Sequence, residues 1–285
     1  MAEIKLLVGG PVDYFPFDYI NVALDTGTAT ASVTEIIVLA SNGVKVVFYG
    51  TFTVDGGGDV TAGTMTGYDV FAGSTKVVKA TGYSTSGAAL FDAIQGFSVD
   101  DDPFYDLILN VPLKVIGSPK DDIELDGGEF NDKLLGNNGN DILFAFNGDD
   151  NLKGGKGNDL LIGADGFDKL KGGLGDDVFG FFIDGLLVPL TYDKVKDFTP
   201  GEDLIGLEFS MLPNAPPPGY LDKQYFHQGT QATTADQIVI YDKKNGNINI
   251  DVDGTGSQAQ YLLATVKPGT KLTADDFYVQ LDFFA

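Results

Sequence analysis

The chain has 285 residues, 43% of them hydrophobic, which is enough for one large domain or two to three small ones with a buried core. Its 18 basic residues are all lysine and face 41 acids, for a formal net charge of −23; such a surface repels nucleic-acid phosphates and anionic lipid and attracts cations. Cysteine is absent, which excludes disulfides, thiol catalysis and zinc–cysteine sites.

The first ten residues, "MAEIKLLVGG", hold an apolar run too short for a secretory leader, and no run reaches membrane-spanning length. Residues 1–115 read as a β-rich N-terminal domain. Its strand patterns are "YINVAL" (19–24), "VTEIIVL" (33–39), "KVVFYGTFTV" (45–54), "VTAGTMTGYDVF" (60–71) and "KVVKATGY" (76–83), separated by Gly, Asp, Asn, Ser and Thr. "SGAALFDAI" (86–94) predicts one short helix capped by Ser86. "SVDDDPFYDL" (98–107) has the composition of a boundary.

Residues 116–181 are a repeat. In blocks of nine they read "GSPKDDIEL", an extra Asp126, then "GGEFNDKLL", "GNNGNDILF", "AFNGDDNLK", "GGKGNDLLI", "GADGFDKLK" and "GGLGDDVFG". The sixth position is always aspartate: Asp122, Asp132, Asp141, Asp150, Asp159, Asp168 and Asp177. The eighth is Leu134, Leu143, Leu152, Leu161, Leu170 and Phe179, with Glu124 in the first block. Six glycine-rich residues make a turn that needs positive φ, and three make a strand. Two blocks complete an 18-residue coil, so turns on one side stack about 4.8 Å apart.

Stacked carboxylates at that spacing repel by roughly 3 kcal/mol per pair at an effective dielectric of 20. A calcium ion, with oxygen ligands at about 2.4 Å, bridges such a gap. Five same-side pairs result: 122/141, 141/159, 159/177, 132/150 and 150/168. Backbone carbonyls of the turn glycines, Gly139, Gly154, Gly155, Gly157, Gly172, Gly173 and Gly175, supply further ligands. The 141/159 and 159/177 pairs have the most complete turns, because Phe130 and Ala145–Phe146 replace glycines elsewhere.

The outward positions differ between alternate blocks. One sheet shows Ile123, Leu125, Ile142, Phe144, Leu160, Ile162 and Val178; the other shows Lys133, Leu135, Asn151, Lys153, Lys169 and Lys171. The apolar stripe packs either on this chain's own flanks or on another subunit.

The nine-residue pattern G-G-x-G-x-D-x-U-x resembles the RTX family, the hemolysin-type calcium-binding repeat proteins. Residues 176–285 continue the resemblance, which covers roughly 117–285 in order. "DDVFGFF", "DKVKDFTPGEDLIGL", "DQIVIYDKKNGNINIDVDGTGSQAQYLLATV" and "LTADDF" are similar to the region that follows the roll in serralysin-type proteases and RTX lipases. The resemblance implies a calcium-binding parallel β-roll, a β-rich C-terminal cap, and export from a Gram-negative bacterium by type I secretion. In such families the export signal is C-terminal and uncleaved, and "DDFYVQLDFFA" looks like one. Within this region "PNAPPPGY" (213–220) reads as a polyproline-like loop, and two hairpin-connected strands are expected around "KKNG". "DVDGTG" (251–256) looks like a calcium loop but lacks the later acids of an EF-hand, and reads rather as a turn closing a strand.

The expected fold class is therefore all-β: N-terminal domain, roll and cap. No catalytic constellation is visible. The lone histidine, His227, cannot build a zinc site. "GYSTSG" around Ser84 misses the final glycine of a nucleophile elbow. Residues 1–100 hold only ten acids, a thin supply for acidic-pair catalysis. The region "GTFTVDGGGDVTAGTMTGYDVFAGSTKV" resembles β-domains of small bacterial RTX proteins without an assigned role. The expectation is a non-enzymatic extracellular or cell-surface protein that binds several calcium ions. It would fold on export and serve self-assembly or adhesion; polysaccharide or cell-surface binding is the alternative, and a small secreted enzyme ranks below it.

Overall fold

A computed structural model describes residues 2–6, 28–32, 34–39, 44–72, 75–96, 111–122, 125–184, 191–210, 215–256 and 259–279. The strand pattern at 19–24, the boundary at 98–107 and the last six residues of the tail lie outside them.

Among the described residues the chain is almost entirely β, with one α-helix, Gly87–Gly96. The N-terminal strands form an antiparallel meander in the order Thr28–Ala31, Glu35–Leu39, Val44–Val54, Val60–Ala72 and Thr75–Ser86. Alternating apolar residues give it one buried face, on which Phe48, Met65 and Tyr68 are fully enclosed. The helix starts where expected: the Ser86 hydroxyl accepts the Ala89 N–H at 3.3 Å. Leu90, Phe91 and Ile94 then bury its apolar face.

The strand Ala2–Leu6 joins this meander to the roll. It pairs antiparallel with Thr75–Ser86 and parallel with Leu113–Ile116. Leu113–Ile116 in turn pairs parallel with Lys133–Asn138, the first strand of one roll face. That face continues through Asn151–Lys156, Lys169–Leu174 and Asp193–Val195 into Tyr261–Thr265, Asn247–Ile250, Val239–Asp242 and Phe226–Gln228, so that 15 strands share one sheet. The hairpin expected around "KKNG" is present, with Val239–Asp242 antiparallel to Asn247–Ile250.

The opposite face is a sheet of seven strands: Gly219–Tyr220, Phe277–Val279, Leu204–Ser210, Val178–Asp184, Leu160–Ile162, Ile142–Phe146 and Leu125–Gly128. Every pairing within the roll is parallel and in register: Leu134 beside Leu152 beside Leu170, and Leu143 beside Leu161 beside Phe179. These six side chains are fully enclosed between the faces.

The first block departs from the expected register. Leu125, expected outside, pairs with Leu143 and is fully enclosed, so it and not Glu124 fills the inward slot. Leu125 stands three residues after Asp122 where Leu143 stands two after Asp141, and burying leucine rather than glutamate accounts for that register. Ile123 and Glu124 lie outside the described residues.

Leu161 sits at the centre of this leucine stack. Leu161→Ala should cost about 2–5 kcal/mol, because two parallel neighbours hold the cavity open. Urea denaturation in saturating calcium would measure it, and Leu160→Ala, half outside the stack, should cost less.

Candidate metal centre

The turns are built by glycine. Second-position residues Gly155 and Gly173 have φ of 131° and 125°, and fourth-position residues Gly157 and Gly175 have φ of 115° and 132°. Space matters as much as torsion. A Cβ on Gly157 would overlap the Gly139 carbonyl, and one on Gly175 would overlap the Gly157 carbonyl. First-position glycines solve a different problem: a Cβ on Gly154 or Gly172 would collide with the carboxylate of Asp159 or Asp177 in the same block. Glycine thus lets each carboxylate fold back against its own turn. Three blocks depart from the rule, with Asn137, Phe146 and Ala164 at positive φ.

On this scaffold the seven aspartates form two ladders. On one edge the Asp122 N–H donates to Asp141 Oδ1 at 2.9 Å, Asp141 N–H to Asp159 Oδ1 at 2.9 Å, and Asp159 N–H to Asp177 Oδ1 at 3.0 Å. On the other edge Asp132 N–H donates to Asp150 Oδ1 at 2.6 Å and Asp150 N–H to Asp168 Oδ1 at 2.7 Å. All five same-side pairs expected from the spacing are therefore in direct contact.

Both ladders run past the repeat. Asp168 N–H donates to Asp193 Oδ1 at 3.1 Å, and Asp177 N–H to Asp203 Oδ1 at 3.0 Å. Each is 4% exposed. These two rungs were not anticipated, since residues between the blocks break the nine-residue spacing. A signal was present for Asp203, because Gly201-Glu202-Asp203-Leu204-Ile205 preserves the G-x-D-x-U half of the motif. A second column was also missed. The fifth-position oxygen of Asn131, Asn140, Asp149 and Asn158 accepts the N–H of Asp149, Asn158, Phe167 and Asp176, one coil on.

The inner ladders are one partner short. Oδ2 of Asp132, Asp141, Asp150, Asp159 and Asp168 is buried and takes no hydrogen bond among the described residues. An ionised carboxylate oxygen left so is costly. Burial pushes the Asp132 and Asp159 carboxyls up to about 6, Asp141 and Asp177 to about 7 and Asp150 to about 8. The neighbouring ladder charges add to the rise at Asp141, Asp150 and Asp177, and backbone N–H donors offset part of it at all five.

Orphaned carboxylate oxygens, stacked between turns whose carbonyls crowd the same space, form a hard-oxygen donor set that fits calcium. The 122/141 step differs: Asp122 Oδ2 already accepts the Ser118 N–H at 2.7 Å, and Asn137 Nδ2 donates to the Gly117 carbonyl at 2.8 Å. Protein donors there occupy oxygens that a cation would use.

The outer faces divide as expected. Asn151, Lys153, Lys169 and Lys171 are exposed, whereas Ile142, Phe144, Leu160 and Val178 are partly covered and Ile162 is 1% exposed. That burial arises within the single chain, so the stripe at Ile162 is covered by the chain itself. His227 is partly buried in the strand Phe226–Gln228, and Ser84 is exposed within Thr75–Ser86. No helix of the described residues is long and apolar enough to cross a membrane.

Residues 126–161 and 153–179 match the family described as RTX calcium-binding nonapeptide repeat (4 copies). The solution structure of the AlgE6R3 subunit from the Azotobacter vinelandii mannuronan C5-epimerase is 28% identical to this chain, covering 57% of it and 80% of that subunit, with a TM-score of 0.23. No curated protein matches the chain. The segment 126–179, which matches that repeat, is folded as a parallel β-roll.

The raised carboxyls set a pH dependence of definite sign. Their folded, metal-free values lie above the ordinary 3.8, so the folded state holds extra protons. That stabilisation is complete below about pH 4 and is lost as the pH rises to about 8. Circular dichroism in chelator should show more roll at pH 5 than at pH 8. With calcium the trend reverses, because the ion displaces those protons and its apparent affinity climbs across the same window.

Proposed function

We propose that this chain is a non-enzymatic calcium-binding protein exported by type I secretion, which folds outside the cell and there serves a structural, self-assembling or adhesive role. The observation that carries the reading is the pair of aspartate ladders with buried, unpartnered Oδ2 atoms. At cytoplasmic calcium levels the ladders repel themselves, which keeps the roll open for threading through an exporter. At extracellular-module affinities, about 10⁻⁴–10⁻³ M, calcium neutralises them and binding energy becomes folding energy.

Asp132, Asp141, Asp150, Asp159, Asp168 and Asp177 would hold the ions, with carbonyls from Gly139, Gly154, Gly155, Gly157, Gly172, Gly173 and Gly175. Asp193 and Asp203 would close the last steps, so that calcium also ties the cap to the roll. The strand Thr28–Ala31, made only of Thr and Ala and last in its sheet among the described residues, is suited to edge-to-edge assembly.

A second reading has its own support. Lys133, Asn151, Lys169 and Lys194 stand side by side across four parallel strands, and Lys153 stands beside Lys171. Two lysine columns on a chain of net charge −23 suit a linear anionic polysaccharide laid along the roll.

Light scattering coupled to size exclusion, in chelator and in millimolar calcium, separates the two. Assembly beyond a monomer only with calcium supports the structural role. A compact monomer with calcium, retained on an anionic polysaccharide and released by Lys153→Glu/Lys171→Glu, supports the second. A compact monomer in both solutions contradicts the calcium-gated folding common to both.

A further inference from the structure

The turn after Asn247–Ile250 carries "DVDGTG", two strands along the 15-stranded sheet from the strand that bears the rung Asp193. We propose that it holds one further calcium ion, outside the roll, with Asp251, Asp253 and Gln260 as side-chain donors.

Asp251 is 6% exposed, and its Oδ1 takes no hydrogen bond among the described residues. Its backbone is fixed, because the Asp251 N–H donates to the Ile238 carbonyl at 2.8 Å. The Asp253 carboxylate stands beside it. Burial first, and that neighbouring charge next, raise the Asp251 carboxyl.

Gln260 arrives from the partner strand. Ile250 pairs with Tyr261 as the last rung of an antiparallel ladder, so Asp251 and Gln260 flank that rung at the same end of the two strands. Gln260 Nε2 donates to the Thr230 carbonyl at 2.8 Å. Reversing the amide would set two acceptor oxygens against each other, so its orientation is decided. Gln260 Oε1 is then left buried and without a donor.

Two further features shape the pocket. Gly254, at φ 62°, lets the Ala235 carbonyl close against the turn, and Gly256 leaves room for the Asp253 carboxylate. The donors are two carboxylates, an amide oxygen and a backbone carbonyl. All are hard oxygens, which suits calcium and not zinc. A bridging water would satisfy Asp251 Oδ1 and Gln260 Oε1 but would bring no positive charge to the two adjacent carboxylates.

Native mass spectrometry of the full chain in millimolar calcium tests this by counting ions. Asp251→Asn should bind one calcium fewer than the parent chain. The midpoint of the roll's calcium-dependent circular dichroism change should stay within twofold. Gln260→Leu, which leaves both carboxylates in place, should weaken that one ion at least tenfold, and it decides the matter if Asp251→Asn does not fold. Both variants retaining the parent count would overturn the site. Failure of the roll reading would show differently, as a parent chain whose circular dichroism ignores calcium.

Discussion

Stacked carboxylates, each folded back against its own turn and buried by the turns above and below, are the constraint on which the rest of this molecule depends. In water two such charges would hardly notice each other. Between turns, with burial as the leading cause, their carboxyls rise to values as high as about 8 at Asp150. The same burial that builds the leucine stack therefore creates an electrostatic fault along both edges. A divalent cation between rungs would remove the fault and lend the roll stability.

Glycine makes the arrangement possible, and it does so by absence of a side chain. A Cβ at the first position strikes the block's own aspartate, and one at the fourth strikes a carbonyl in the preceding coil. Backbone N–H groups then join the coils in two directions. The sixth-position N–H reaches forward to the next aspartate, while the fifth-position side chain reaches forward to the next N–H. The Asn-Asp pairs of the repeat are thus a clasp between coils. Because the ladders end on Asp193 and Asp203, the cap is wired into the same electrostatics as the roll.

Much of this was legible in the sequence. The aspartate column at intervals of nine implies two ladders, and the leucine column implies a closed interior; both are present. The first block was misread by one position, because Glu124 and Leu125 are adjacent and periodicity cannot say where an extra residue is absorbed. Packing decides it, by burying the leucine. Asp193 and Asp203 were hidden because the intervening residues destroy the spacing while the local G-x-D-x-U chemistry survives at Asp203. The continuous sheet from meander through roll to cap was not legible either, since the parallel pairing of Ala2–Leu6 with Leu113–Ile116 joins segments far apart in the chain and leaves no local mark.

The most direct test of the central claim is hydrogen exchange of the full chain, followed by mass spectrometry on peptides from 126–179, in chelator and in millimolar calcium at pH 8. The account predicts that these amides exchange within seconds in chelator and become protected together once calcium is added, those of the Asp141, Asp159 and Asp177 ladder among them. Equal protection in the two solutions would contradict it, because the stacked carboxylates would then be held by the protein alone.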